Sequence, residues 1–443
     1  MLGKTQQTAQ RDLFRPHLLD FIDQSHDLVL LADHIDWNYF EEEFSRYYSA
    51  IGRPSMPIRF SVGCLLLIKL FKLSDETIVQ EWESNPYMQY FTGGAFFEHK
   101  FPCDPSDFCH FRKRIGEEGI ENIFAYSVSV HGKDGKVDNT MSDTTVQENN
   151  TTFPTDSKLA KKIIDKCNSI AKERGIVQRQ TYIRKSKEFL RDTHNSKHPK
   201  RRKSAQKARK KLRTIALRLI RELERKLGEE MLKDYQAELD LYKQVLHQER
   251  TSKNKIYSLH KPFTTCIAKG KAHTPYEFGN KIGVLTTTGK EILILAIDAF
   301  DGNPHDSKTI EPLLKQNERL NHHVPKDVAY DRGGRGVSQI GETTVSIPKP
   351  PLKRDSQYER QKKRKKFRRR AGIEPVIGHL KTDFGMQTNY LHGKSAPKIN
   401  AMLAATAWNL KKYIKKLRKK LLYVQILIQD IERGICYQML LTA

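Results

Sequence analysis

The chain has 443 residues, 38% of them hydrophobic and 29% charged, so it can bury a substantial core and is expected to form two or three domains. Its 78 lysines and arginines exceed its 52 acidic residues and give a net charge of +26. Such an excess favours nucleic acid as the partner, although a ribosomal or generally adhesive basic protein would have the same charge.

The N-terminal residues lack the apolar segment of a secretory signal, and the apolar runs at 62–71 and 421–428 are too short to span a membrane. Six scattered cysteines show no zinc-binding spacing, which favours reduced thiols in the cytoplasm.

The first 130 residues have the pattern of α-helices, and one of these helices carries clustered cations. Around 108–115 the apolar residues fall on one helix face and leave Arg112, Lys113 and Arg114 around the rest. This arrangement is typical of a helix that enters a DNA groove, and equally of any amphipathic surface helix. The sequence leaves both interpretations open.

A β-favouring segment follows at about 136–150 and contains Asp143. Beyond it, residues 157–254 have a nearly continuous helical pattern and a strong positive charge. The run 196–213 contains ten lysines and arginines and no acid. A solvated linker is one interpretation of this run, but an arm that contacts phosphates fits the total charge better.

Strand patterns return after residue 275. Residues 276–300 read as a β-hairpin, 306–320 as a helix capped by Asp306, and the segments starting at 327 and 343 as two short strands before a basic helical region. With the basic helices set aside, the order is that of a ribonuclease-H-like fold. The predicted class is therefore α/β, with a mixed five-stranded sheet, a large helical insertion after the first strand and an all-α N-terminal domain.

Three acids fall where this topology would bring them together. Two-metal phosphoryl transfer requires carboxylates from separate elements around a pair of Mg²⁺ ions. In the predicted sheet the first and fourth strands are neighbours. Asp143 on the first strand, Asp331 at the end of the fourth and Glu374 on the following helix would therefore meet, and they are the predicted catalytic and metal-binding residues.

Each of these acids has a structural alternative, and other acids compete for the same roles. Asp138 or Glu148 could replace Asp143, and Asp331 could simply open the turn that follows it. Asp298 and Asp301 close the third strand, which lies two strands from the first, about 10 Å away and too far to share a metal pair. Asp306 is more simply a helix cap.

The segment around Glu374 combines that acid with cations. On a continuous helix, Phe367, Arg370, Glu374 and Lys381 would form one stripe and a second, apolar stripe would pack against the protein. Arg370 and Lys381, with the adjacent Arg368 and Arg369, are predicted to hold DNA phosphates while Glu374 binds metal. Pro375 leaves two alternatives, because either the helix is kinked there or it begins there with Pro375 in its first turn.

Over roughly residues 15–415 the chain resembles the DDE transposases of bacterial insertion sequences. The family signature on the glutamate helix is Tyr, two residues, Arg, three residues, Glu, six residues, Lys. The spacing is kept here, with Phe367 in place of the tyrosine, which puts in doubt only what the phenol would contact. Further segments look like recurrent segments of the group: SDTTVQENNTTFPTDSKL, YEFGNKIG, GNPHDS and AYDRGGRG. The last departs slightly, since an aromatic residue often follows Asp-Arg-Gly.

The resemblance implies a metal-dependent DNA strand transferase. Two Mg²⁺ ions, for which Mn²⁺ can substitute, would be held by Asp143, Asp331 and Glu374. The enzyme would hydrolyse a phosphodiester at each end of the element, and the freed 3′-hydroxyl would attack target DNA without a covalent protein–DNA intermediate. The expected partners are the terminal inverted repeats, target DNA and further copies of the chain, in the cytoplasm of a prokaryote at the nucleoid. The alternative is a catalytically silent DNA-binding protein derived from a transposase.

The expected domain organisation has four parts. Residues 1–130 would form a helical domain for DNA binding or oligomerisation. The ribonuclease-H-like catalytic domain would combine 131–156 with 255–420, interrupted by the basic helical insertion 157–254. Residues 421–443 would form a C-terminal tail.

Overall fold

The computed structural model describes residues 2–3, 15–194, 196, 198–249, 251–269, 274–347 and 352–442. The side chains of residues 332, 366, 367 and 429–442 are outside this description, and with them the predicted role of Phe367. None of the helices in the described ranges combines the length and the apolar character needed to cross a membrane.

Helices dominate the first 130 residues and the segment between the first two strands. The described α-helices, in chain order, are α1 (Leu18–Phe21), α2 (Asp27–His34), α3 (Trp37–Ser45), α4 (Ile58–Leu70), α5 (Thr77–Ser84), α6 (Pro86–Phe91), α7 (Ser106–Ser129), α8 (Asp156–Glu173), α9 (Ile183–Asp192), α10 (Pro199–Lys226), α11 (Glu229–His247), α12 (Ser307–Asn321), α13 (Gln357–Ala371), α14 (Ile373–Thr382) and α15 (Ala396–Thr442).

One mixed sheet lies between the later helices. Its strands are β1 (Asn139–Asn149), β2 (Thr265–Ala268), β3 (Tyr276–Thr287), β4 (Ile294–Phe300), β5 (Asp327–Ala329), β6 (Gln339–Ile340), β7 (Thr343–Ser346) and β8 (Thr388–Asn389). The central order is β4-β3-β1-β5-β7, in which β1, β3 and β4 pair antiparallel and β1, β5 and β7 pair parallel.

This order confirms the fold class predicted from the sequence. The first predicted strand lies between the second and the fourth, and the third strand lies two positions away from the first, as expected. The short strands β2, β6 and β8 extend the five predicted strands, by pairing with β3, β7 and β1 respectively.

A single hydrophobic core joins the N-terminal helices to the sheet. It runs from Leu28 on α2 through Phe124 on α7 to Ile297 on β4 and Leu403 on α15. An ion pair between an exposed arginine and a buried glutamate crosses the same boundary, since Arg319 on α12 donates to both carboxylate oxygens of Glu121 on α7, at 2.7 and 2.8 Å. The N-terminal helices are therefore packed as part of the body that carries the sheet.

The helices between β1 and β2 have a core of their own. Apolar residues of α8, α10 and α11 form a separate cluster that includes Ile163, Leu212 and Leu239. The Thr155 hydroxyl accepts a hydrogen bond from the Lys158 amide and so caps the start of α8. The basic helical region thus buries its apolar faces within itself.

Truncating Phe124 tests whether the shared core stabilises the chain. Phe124 is 0% exposed, so Phe124→Ala is expected to lower the free energy of unfolding by about 3–5 kcal/mol through lost burial and a residual cavity. The measurement is chemical denaturation followed by circular dichroism. Ile51, 87% exposed, provides the control, since Ile51→Ala should change stability by less than about 0.5 kcal/mol. A loss below about 1 kcal/mol for Phe124→Ala would contradict the shared core.

Candidate active site

Two neighbouring strands carry the first two predicted acids. The parallel register pairs Met141 of β1 with Ala329 of β5, so Asp143 and Asp331, each two residues further on, lie opposite one another where β5 ends. Asp143 is in the middle of the long strand β1 and pairs with Val284 on its other side. The sheet therefore brings these acids together although they are 188 residues apart in the sequence.

The turn after Asp331 is built on its own carboxylate. The Gly333 amide donates to Asp331 Oδ1 at 2.8 Å at the start of a short 3₁₀ turn. A Cβ atom at Gly333 would lie 2.4 Å from Asp306 Oδ2 and 2.9 Å from Asp331 Oδ1, so any larger residue would force these carboxylates to move. Glycine at this position lets the loop pass close to both carboxylates.

Glu374 is positioned by two consecutive helices. Helix α13 begins with a capping box between Ser356 and Glu359 and ends at Ala371, and α14 begins at Ile373. Pro375 is in the first turn of α14, where a missing amide hydrogen costs no helical bond, so the second alternative left open by the sequence is the observed one. Buried Ile373 packs with Met141 of β1 and holds the start of α14 against the sheet.

Arg370 joins two of the predicted acids. One terminal nitrogen of its guanidinium donates to Asp143 Oδ2 at 2.9 Å and the other donates to Glu374 Oε1 at 2.8 Å. The side chains of Arg370 and Asp143 are 18% and 14% exposed, whereas that of Glu374 is 60% exposed. Arg370 and Glu374, four residues apart, thus remain in contact across the helix break.

The electrostatics of Asp143 reflect this crowding. Burial raises the pKa of Asp143 above its ordinary value, and the nearby Asp331 and Glu374 raise it further. The Arg370 guanidinium and the Thr144 amide act in the opposite direction and lower that pKa. All three acids are therefore close enough to influence one another, and a cation between them relieves their mutual repulsion.

The donor chemistry of this cluster fits a hard divalent cation. Mg²⁺ and Mn²⁺ take carboxylate oxygens and keep several waters. Among the described residues, no three acidic, histidine or cysteine side chains converge closely enough to enclose a metal ion as they stand. Instead, the Arg370 guanidinium supplies positive charge between Asp143 and Glu374, and would have to move aside for a metal ion.

The competing acids lie elsewhere. Asp138 precedes β1 and bonds to Lys326 at 2.8 Å, and Glu148 is exposed near the far end of β1. Asp298 is on β4, two strands from β1, with Lys398 Nζ 3.4 Å from its carboxylate. Asp301 pairs with Lys394 at 3.1 Å. In the part of the chain that the structure describes, the three aspartates among these acids pair with lysines away from Arg370.

Asp306 has a different role from the helix cap predicted by the sequence. It precedes α12, but its side chain makes no capping hydrogen bond. Its Oδ1 accepts from Lys281 Nζ at 2.8 Å and from the Thr144 hydroxyl at 3.0 Å, and its Oδ2 borders Gly333. The sequence signal that could have indicated this role is Lys281, a lysine within the buried part of a long strand.

The predicted DNA-binding residues divide into exposed and inward-facing ones. Arg368 is exposed and Lys381 is half-buried on α14. The Arg369 guanidinium points inward, where it donates to Asp327 at 3.1 Å and to the Thr140 carbonyl at 3.0 Å. Arg369 therefore connects α13 to the first residues of β1 and β5.

On α7 the three predicted cations also have different environments. Arg112 is buried and both of its terminal nitrogens bond to Asp75, so it stabilises the N-terminal helices from within. Lys113 is exposed, and the Arg114 guanidinium lies over the ring of Tyr48 at 4.6 Å. Of the three, Lys113 and Arg114 are placed to meet a ligand.

Comparisons with known proteins identify two regions of the chain. A family model described as a transposase domain (DUF772) matches residues 16–114, and one described as a transposase DDE domain matches residues 246–410. The second match includes Asp331 and Glu374, whereas Asp143 lies between the two.

A curated relative from Rhizobium meliloti is described as uncharacterized protein ORF8 in nfe locus. It is 38% identical over 185 residues, which cover 41% of this chain and 89% of that protein. No solved structure gives a significant match. From the two family matches and the sheet order, the chain belongs to the DDE transposases of insertion sequences, which have a ribonuclease-H-like catalytic domain.

Proposed function

We propose that this transposase cleaves DNA at the ends of its insertion sequence in the presence of Mg²⁺ and joins the freed 3′-hydroxyl to target DNA. The observation that carries the proposal is that Asp143 and Glu374 bond to one guanidinium, while Asp331 lies beside Asp143 where β5 ends, so that a strand, a strand end and a helix start each supply one acid. Carboxylates from separate elements around a shared cation are the arrangement that two-metal phosphoryl transfer requires. The proposed setting is the cytoplasm of a prokaryote, at the nucleoid.

In this proposal Asp143, Asp331 and Glu374 would hold the ions. Bound divalent cations would supply an activated nucleophile and would neutralise charge on the phosphate oxygens. The chain's own residues would orient the site, since Gly333 fixes the Asp331 carboxylate and Ile373 anchors the start of α14. Burial on β1 keeps bulk water from surrounding Asp143.

The bonds exchanged in the two steps are as follows. Water attacks the phosphorus at the element end, the bond to the 3′ oxygen breaks and that oxygen leaves as a hydroxyl. The 3′-hydroxyl then attacks a target phosphorus, a new phosphodiester forms and the target's 3′ oxygen leaves. One phosphodiester replaces another in the second step, so no covalent protein intermediate or energy-rich cofactor is needed. We propose that several copies act together on paired ends.

The proposal is tested by incubating the protein with Mg²⁺ and with labelled duplexes that contain the element ends. Glu374→Gln and Asp143→Asn keep the size of each side chain but remove an ionised ligand, and each is expected to lower cleavage by at least about 10³-fold. Asp301→Asn is the matched control, because Asp301 is an exposed acid two strands away, and it should cleave like the wild type. Equal cleavage by wild type and Glu374→Gln would show that the site is wrongly assigned. Binding without cleavage by the wild type would favour the catalytically silent alternative.

Replacing Arg370 is expected to strengthen metal binding in the absence of DNA. The Arg370 guanidinium bonds to two of the proposed ligands, so it competes with a cation for Asp143 and Glu374. Arg370→Gln should therefore bind Mn²⁺ about tenfold more tightly, equivalent to ~1.4 kcal/mol, measured by isothermal titration calorimetry. The control Arg368→Gln removes a neighbouring exposed charge and should have a much smaller effect. Unchanged or weaker Mn²⁺ binding by Arg370→Gln would contradict the competition.

A further inference from the structure

A row of cations follows one face of α10, in the helical region between β1 and β2. The row, here called the cationic stripe, consists of six residues that share a helix face and are all exposed: Lys200, Lys203, Lys207, Lys210, Arg221 and Arg225. At 100° per residue these side chains lie within about 40° of a common direction. The buried face of α10, which includes Ala208 and Leu212, lies on the other side of the helix.

The stripe is not neutralised within the protein. Among the described residues, no carboxylate lies within ion-pairing distance of any stripe residue. The two acids of the C-terminal half of α10 are outside the stripe and already paired, Glu222 with Lys226 and Glu224 with Lys243. Within the part of the chain that the structure describes, Arg221 and Arg225 donate hydrogen bonds to carbonyls of their own helix, at 3.2 Å, and Arg225 is also close enough to Glu222 to lower the pKa of that carboxyl. Like charges three and four residues apart repel one another, so the stripe costs the free protein stability.

The dimensions of the stripe match a duplex. From Lys200 to Arg225 the rise of 1.5 Å per residue gives a length of roughly 38 Å, and one turn of B-form DNA is about 34–36 Å. Helix α10 is continuous over this length. A straight row of charges can therefore lie along or across the phosphates of about one duplex turn.

The chemistry of the stripe favours phosphate contact over base recognition. Four of its six residues are lysines, which contact phosphates as point charges and lack the planar fork that reads guanine. Single-stranded nucleic acid needs exposed aromatic rings for stacking. The nearby rings are covered, Phe189 by Lys211 at 4.9 Å and Tyr182 by Arg218 at 5.8 Å. The surface therefore suits double-stranded DNA without regard to sequence.

We infer that the cationic stripe of α10 is a sequence-independent docking surface for the backbone of duplex DNA, separate from the cleavage site. The inference rests on the proposed function for the choice of DNA as the polyanion. It adds a second contact region, on a part of the chain with its own hydrophobic core. DNA held there would stay near the protein whatever its sequence.

The test measures binding to a 30-base-pair duplex of arbitrary sequence that contains no element end, by fluorescence anisotropy between about 50 and 200 mM NaCl. The stripe variant carries Lys203→Gln, Lys207→Gln and Lys210→Gln. Each lost phosphate contact makes the slope of log K against log salt less steep by about 0.9. The magnitude of the slope is therefore expected to decrease by about 2 to 3 in the stripe variant. Circular dichroism of the stripe variant checks that its helices are retained.

A matched control removes the same charge elsewhere. Lys233→Gln, Lys290→Gln and Lys315→Gln change three exposed lysines outside the stripe, and the slope should stay within about 1 of the wild-type value. The inference is overturned if the stripe variant keeps the wild-type slope, or if a single-stranded probe binds more tightly than the duplex and depends on the stripe.

Cleavage of end-containing DNA, measured with the same proteins, separates this inference from the proposed function. If the wild type does not cleave but the stripe variant shows the expected decrease in the salt slope of binding, the proposed function fails and the docking surface stands. If the wild type cleaves and the stripe variant binds the arbitrary duplex as the wild type does, the docking surface fails and the proposed function stands.

Discussion

The arrangement of the candidate site depends on the two hydrogen bonds of the Arg370 guanidinium, which connect the sheet to the helix after it. Asp143 belongs to a buried strand whose neighbours fix it on both sides, whereas Glu374 is exposed at the start of a helix. Without a cation between them, the two carboxylates would repel each other. The Nε atom of Arg370 is buried and has no hydrogen-bond partner among the described residues. A guanidinium left partly unsatisfied in this way is easier to displace than a fully bonded one.

The bridge is preserved across the helix break. Gly372 keeps helical dihedral angles, φ −62° and ψ −18°, so the four-residue spacing from Arg370 to Glu374 still places both on one side. Pro375 stops the amide ladder without bending the chain away, because it occupies the first turn of α14. Ile373, packed on Met141, then fixes the direction of the new helix. A single proline and a single buried isoleucine thus decide where the exposed carboxylate lies.

The sequence predicted the features that follow from strand order and periodicity. The adjacency of the first and fourth strands and the exclusion of Asp298 by its distance from β1 both depend on local pattern and topology, whereas for Pro375 the sequence left a kink and a helix start open. The partners of individual side chains did not follow from such patterns. Arg112 looked like an exposed cation until the fold brought Asp75 against it from 37 residues away, and Asp306 looked like a cap although Lys281 holds its carboxylate. Long-range ion pairs depend on how whole elements pack, which a helical period does not encode.

The two hydrophobic cores solve a conflict of charge. A site that binds divalent cations is built from carboxylates, whereas a surface that attracts DNA needs many cations and few acids. The core that joins the N-terminal helices to the sheet supports the acids, and the separate core of α8, α10 and α11 supports the cationic stripe. Because each unit buries its own apolar surface, the repulsion within the cationic stripe strains α10 without loosening the packing around Asp143. The same separation allows the basic region to change its charge without a change in the carboxylates that would bind metal.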